Sequence, residues 1–203
     1  MSEWWTYRLS SFLMFSPRTY WRLIELHNLD VWPAHLVALA LGLILLWRAA
    51  GRRAVDARVQ AALLAAVWLW VGWAFHWRHY ATINWAARYF ALAFAVQALL
   101  LLGMGTWPRD ARAPPKGSVV QKFGWLLTVS GVLLYPLAGL LAGRPCTQVE
   151  MFGIVPEPTA LATLGLLLAS AAPPSRPVRC VLSVIPTLSL MVGAATLWLI
   201  AGG

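Results

Sequence analysis

Charge is scarce in this chain. Asp, Glu, Lys and Arg make up 11% of its 203 residues, against about 25% in an ordinary soluble domain. The scarcity is uneven: six apolar runs carry no Asp, Glu or Lys, and the charged residues fall in the short intervals between them. That excludes a proton path built on an intramembrane carboxylate, because none of the runs contains one. Two cysteines make no disulfide framework. There is no phosphate-cradling glycine loop, no Gly-x-Ser-x-Gly and no His-Glu-x-x-His, so the chemistries that need those motifs are not expected. Residues 1–30 do not read as a cleavable leader, since charges interrupt them throughout.

What is present is apolar surface. Hydrophobic residues are 60% of the chain and the mean hydropathy is +0.67, more than one small core can hide, so lipid must cover the excess. Backbone groups in hydrocarbon must bond within their own segment, which makes apolar runs of about 17–25 residues into helices. The expected fold is all-α and polytopic, with about six transmembrane helices near 33–47, 59–75, 83–105, 123–142, 158–172 and 180–200. Residues 1–32 form an aromatic prelude, and residues 33–203 a single helical membrane domain. Within the prelude, Ser16-Pro17 is a helix start. Tyr20, Leu23, Ile24 and His27 then share one face, which predicts an amphipathic helix lying on the membrane.

Ten Lys/Arg fall on the side of the links that follow runs one, three and five, and six on the other side. The positive-inside rule puts the first set in the cytoplasm and both termini outside, in a bacterial inner membrane. The net charge of +9 then serves orientation and anionic lipid; nucleic acid is not an expected partner. The expected partners are the bilayer and a membrane-protein partner or a second copy. Most of the 13 tryptophans, such as Trp32, Trp47, Trp77, Trp85 and Trp198, lie near run ends and read as interface anchors.

This orientation collects all four histidines on the outer side. Three kinds of site follow. A metal ion could draw on His76 and His79, three apart, with Glu157 and His35. Haem would need two facing histidines, and only His35 and His76 stand at similar depth. An anion or polar-solute path would use Arg78, Arg88 and Arg144, with Asn84, Glu157, Thr159 and Asn28 as further contacts; the outer N-termini of runs one, three and five add partial positive charge. Arg88 is the sharpest of these, because an arginine inside a span is costly unless it is paired, wet or snorkelling. Gln97, deeper in the same run, reads as an interhelical hydrogen bond.

Three strings carry a resemblance: Phe15-Ser-Pro-Arg-Thr-Tyr-Trp-Arg-Leu with Glu25, Asn28 and Trp32-Pro33; His76 followed by Ile83-Asn84-Trp-Ala-Ala; and Phe152-Gly-Ile-Val-Pro-Glu-Pro-Thr159. Together they resemble a family of small multi-pass bacterial membrane proteins of unknown function. The family's pattern has Pro-Cys-Pro-Thr at the last string. Glu157 stands in the cysteine's place, which argues against thiol chemistry there. The resemblance implies the membrane topology and no activity. The expected function is binding or transport of a small ion or polar solute through an outer polar vestibule. The alternatives are a non-catalytic assembly or anchoring subunit, or a haem or quinone redox subunit. No catalytic residue is assigned.

Overall fold

The computed structural model describes residues 15–49, 54–105, 117–170 and 174–202, and among them every regular element is helical. The first fourteen residues of the prelude, Arg52, Arg53 and the charged linker with Arg109, Arg112 and Lys116 lie outside the described residues.

Helix α1 (Pro17–Asp30) starts as its residue types require. The Ser16 hydroxyl accepts from the Thr19 N–H at 3.2 Å, and Pro17 fills the first turn, where no N–H is needed. Tyr20, Leu23, Ile24, His27 and Asn28 are its buried face. The face is the expected one, but its partner is not lipid. The 143–155 loop lies under it, and Asn28 Nδ2 donates to the Thr147 and Val149 carbonyls, both at 2.9 Å. A buried loop leaves backbone carbonyls that need donors, and this helix supplies them. The axis of α1 meets that of α2 (Ala34–Ala49) at 88°, so with α2 across a bilayer α1 lies near its plane.

Helix α3 (Ala54–Val71) does not stop where a polar link was expected. It continues through a π-helical segment, Gly72–His79, and a 3-10 turn, Tyr80–Thr82. Helix α4 is Ala87–Gly105. Helix α5 (Val119–Val129) runs through a second π segment, Ser130–Leu134, into α6 (Tyr135–Leu141); then come α7 (Pro156–Ala169) and α8 (Arg176–Gly202). Among the described residues three stretches are long and apolar enough to cross a membrane: Ala57–Thr82, Val119–Leu141 and Arg176–Ala201. Counting α1 and α2 as one bent span would make four. The six-span expectation exceeds this count because α4 and α7 are short. At about 1.5 Å per residue, the 14 residues of α7 reach only about 21 Å.

Helix α7 is the interior post of the bundle. Eleven of its 14 residues are buried, so protein rather than lipid covers it. Three glycines let α5 and its π extension approach it backbone to backbone. A Cβ on Gly124 would meet Ala169 N at 2.5 Å, and one on Gly131 would meet Ala162 N and Pro158 O at 2.6 Å. On the other flank Trp68 of α3, fully buried, donates its indole N–H to Thr163 Oγ1 at 2.9 Å. Trp68 is thus a core residue, whereas Trp32, Trp47, Trp77, Trp85 and Trp198 are exposed, as anchors should be.

Pro186 sits inside α8 without ending it. A proline cannot donate to the carbonyl four residues back, here that of Leu182. Gln97 of α4 supplies the missing donor, Nε2 to Leu182 O at 2.9 Å. One helix defect is thereby satisfied by its neighbour, which is how proline is tolerated in apolar surroundings.

Candidate functional site

The expected site residues separate into those the fold uses for itself and those it leaves unused. Asn28 clamps the loop, as above, and its Oδ1 lies 3.4 Å from His35 Nε2. Asn84 accepts from the Ala86 N–H at 3.0 Å, capping the entry to α4. Thr159 accepts from Gly153 N–H at 2.9 Å and donates to Val155 O at 2.7 Å, closing the turn that leads into α7. Each of the three is hydrogen-bonded within the fold.

The arginines are committed too. Arg88 is the second residue of α4, exposed, with its guanidinium 5.6 Å from the Trp77 ring centroid. It is therefore not buried inside a span. Arg78 pairs with Asp30 at 3.5 Å and lies 5.3 Å from the Trp73 ring. Arg144 binds Glu150 at 2.8 Å and covers Trp21 at 3.9 Å. The path of outer cations expected for an anion is not assembled: each meets an aromatic ring, and two also meet a carboxylate.

The metal and haem expectations fail on geometry. Among the described residues no three of His, Cys, Asp or Glu gather as a metal site. His76 and His79 lie in the π segment, where i→i+5 bonding gives about 4.4 residues per turn and turns residues three apart to different faces. His76 enters a box of Phe75, Tyr80, Phe90 and Phe94, with the last ring 4.5 Å away. His79 turns instead to His27 and Asp30. His35 rests beside Trp32 and Asn28, so it forms no pair with His76.

Hydrogen placement in the second cluster follows from its acceptors. The Ile154 carbonyl accepts only, so His27 Nε2, 3.0 Å away, carries the hydrogen. The Ala74 carbonyl, 2.8 Å from His79 Nδ1, requires a hydrogen there as well. His27 Nδ1 then accepts a share of that N–H at 3.2 Å, and His79 Nε2 faces Asp30 at 3.5 Å. Burial is the main cause that lowers His27 from 6.5 to about 4; the Ile154 bond opposes it, while nearby His79 and His35 add to it.

A histidine held neutral in the fold binds fewer protons than the unfolded chain between those two values, so stability rises with pH across that window. The contribution is full above 6.5 and is lost as pH falls towards 4, up to about 3 kcal/mol at about 1.36 kcal/mol per pH unit. Thermal unfolding in mild detergent should therefore show a lower Tm at pH 5 than at pH 7.5. His27→Gln should reduce that difference. An unchanged difference would remove His27 from the account.

Among the described residues five buried polar side-chain atoms lack a hydrogen bond; His35 Nδ1 and Gln97 Oε1 lie apart, and the two His76 nitrogens and Glu157 Oε2 meet in one place. At the end of the bundle that α1 covers, a cavity of about 280 Å³ lies between α1, the π segment of α3, α4, α7 and α8. Its walls are largely apolar and include five aromatic rings: Tyr20, Phe75, Tyr80, Phe90 and Phe94. Gly72 positions the last of these, since a Cβ there would meet the Phe94 Cβ at 2.8 Å. Two polar side chains line the same space without partners. Neither ring nitrogen of His76 is hydrogen-bonded, nor is Glu157 Oε2.

Glu157, in the first turn of α7, is 9% exposed. No ion pair joins it to a cation among the described residues. Burial raises its carboxyl above the ordinary range, and the neighbouring Glu150 adds to this. Gly193 of α8 makes the room it occupies: a Cβ there would meet Glu157 Cγ and Oε1 at 2.5 Å. From Tyr20, a cavity wall, the hydroxyl reaches Glu150 at 3.5 Å, and Glu150 ends the polar seam at Arg144.

His76 and Glu157 were singled out from the sequence as candidates. Tyr20, Tyr80, Phe90, Phe94 and Gly193 were not, because phenylalanine or glycine in an apolar run has the same composition whether it faces lipid or a cavity.

Fold and site together define a helical bundle with membrane-length helices and a cavity lined by aromatic rings, an unbonded histidine and a carboxyl with one unbonded oxygen. The chain belongs to a family of unknown function, DUF6064, which matches residues 18–201. No curated protein and no solved structure matches it.

Proposed function

We propose that this chain is a multi-pass protein of the bacterial inner membrane that binds a small molecule in the cavity between α3, α4, α7 and α8. The observation that carries the reading is that the buried His76 ring and one oxygen of Glu157 have no hydrogen-bond partner and line the same chamber. Buried polar groups are nearly always hydrogen-bonded, and each group left unbonded costs about 1–3 kcal/mol. A ligand that bonds both removes that penalty, and unused polar groups in a largely apolar pocket are the usual mark of a binding site. The apolar walls narrow the expected cargo from an ion or polar solute to a molecule with an apolar body and a polar end.

Protein purified in mild detergent should carry a stoichiometric small molecule, seen by solvent extraction and mass spectrometry. His76→Phe and Glu157→Leu should lose it. Equal recovery from all three proteins would sink the reading. The rival, a structural anchoring subunit, would need an exposed patch of small residues for its partner. Gly124, Gly131 and Gly165 are instead occupied inside the bundle, which favours the ligand.

The topology that goes with this reading has six passes, at 33–47, 59–75, 87–105, 123–142, 158–172 and 180–200, with Glu157 just outside the fifth. The cavity then lies on the outer side and both termini are extracytoplasmic. Cys146 and Cys180 are free and exposed and fall on opposite faces in this arrangement. An impermeant thiol reagent on intact cells should label Cys146 alone, with Cys180 reached after permeabilisation. Labelling of Cys180 first would invert the orientation.

A further inference from the structure

The mouth of the cavity identifies the kind of molecule it takes. Leu188 and Val192 of α8 line the cavity, yet they are 54% and 42% exposed, so the opening is on the flank of the bundle. Helix α8 is joined to α4 at Gln97–Leu182, and the slot opens between the two helices beyond that bond. Residues 188–196 lie about 9–21 Å from the C-terminal end of α8, at about 1.5 Å per residue. In a helix that overhangs a hydrocarbon layer of about 30 Å by a few ångström, that places the opening within one leaflet. Water and ions do not reach such an opening, whereas a molecule dissolved in the lipid does.

The interior fixes the head of that molecule. A cavity of about 150 Å³ takes a benzene ring, so 280 Å³ holds one substituted ring while a tail leaves through the slot. Phe75, Phe90 and Phe94 present ring faces and edges to a planar partner. A neutral imidazole has one N–H, and a protonated carboxyl has one O–H. A ring with oxygens on two sides can accept both. A fatty acid would set a second carboxyl beside Glu157, and a cation would find no anionic partner except Glu157.

Resting on the proposed ligand role of the same cavity, we infer that the ligand is a membrane-dissolved quinone that enters sideways between α4 and α8 and hydrogen-bonds through its ring oxygens to His76 and Glu157. The claim is one of binding; no electron transfer is part of it.

The test uses the full chain in lipid nanodiscs and a photoreactive azido-benzoquinone with a decyl tail, with cross-links mapped by mass spectrometry. Labelling should concentrate on residues 90–94 and 185–196 and be competed by excess decyl-benzoquinone. Decylbenzene, with the same tail and no oxygens, should compete at least tenfold more weakly. His76→Phe and Glu157→Leu, each checked for a cooperative thermal transition, should cut specific labelling about tenfold, and Leu188→Trp at the slot should slow it. Labelling spread evenly over the lipid-facing helices, or unchanged in both variants, overturns the inference. If extraction meanwhile yields a different molecule that both variants lose, the quinone assignment falls and the binding role stands. If nothing is extracted and nothing competes, both fall.

Discussion

Glu157→Leu should melt at a higher temperature than the native chain stripped of ligand, while failing to retain ligand itself. The carboxyl is 9% exposed, its Oε2 has no partner, and no cation pairs with it among the described residues. Leucine of similar length occupies the space facing Gly193 without a polar group to desolvate. Removing an unsatisfied buried polar group is worth about 1–3 kcal/mol, which for a chain of this size is about 2–12 °C in Tm. The sign separates function from architecture. A carboxyl kept for structure would lower the Tm when lost, whereas one kept for a ligand costs stability in the empty protein. The pH dependence adds a second check. A carboxyl raised above its ordinary 4.5 leaves stability intact below that value and erodes it as pH climbs towards the folded-state pKa. The gain from leucine should therefore grow with pH above about 4.5. Calorimetry or nanoscale fluorimetry at pH 4.5 and pH 7.5 decides it. A lower Tm for the variant at both values would return Glu157 to a structural role.

The second large effect is expected at Gly165. A Cβ there would collide with the Thr128 backbone nitrogen and hydroxyl, and would meet the Gly124 carbonyl at 2.6 Å. Backbone cannot move aside as a side chain can, so α5 and α7 must separate. Overpacking a tight core costs about 1–3 kcal/mol for a small addition. Here the collision strikes the post of the bundle, and separation would also disturb the bond from Thr128 Oγ1 to Gly124 O at 2.8 Å. Gly165→Ala should lose at least about 3 kcal/mol, and Gly165→Leu should yield no monodisperse protein on size exclusion. Gly103→Ala is the control: its Cβ would meet no atom within 4 Å, so the better helix former should leave stability unchanged or raise it slightly. Equal behaviour of the Gly165 and Gly103 variants would mean that α5 and α7 do not touch.

Both predictions rest on residues whose type was visible in the sequence and whose surroundings were not. Glu157 was a candidate from the start, but as a metal or solute contact on a polar surface. Only the packing of α7 against Gly193 shows it enclosed. Gly165 lies in a run of leucine and alanine that reads as ordinary lipid-facing helix. Its need to be glycine depends on α5, nearly 40 residues earlier in the chain. Arg88 went the other way: it looked buried because the predicted span began at 83, and it is exposed because α4 begins at Ala87.

What the sequence determined is local or set by solvent. Ser16-Pro17 starts α1 because a hydroxyl and a missing N–H suit a helix N-terminus. The face formed by Tyr20, Leu23, Ile24 and His27 is buried because 3.6-residue periodicity aligns it. Long charge-free runs become helices because unpaired backbone cannot stay in an apolar medium. What only the tertiary structure decided is non-local: the partner of α1, the interior place of the short α7, the separation of His76 from His79 by a π turn, and the cavity itself. Periodicity tells which residues avoid water; it does not distinguish lipid, a neighbouring helix or an enclosed space as the alternative. That choice is made by how helices distant in sequence pack, through contacts such as Gly193 against Glu157 and Gln97 on the Leu182 carbonyl.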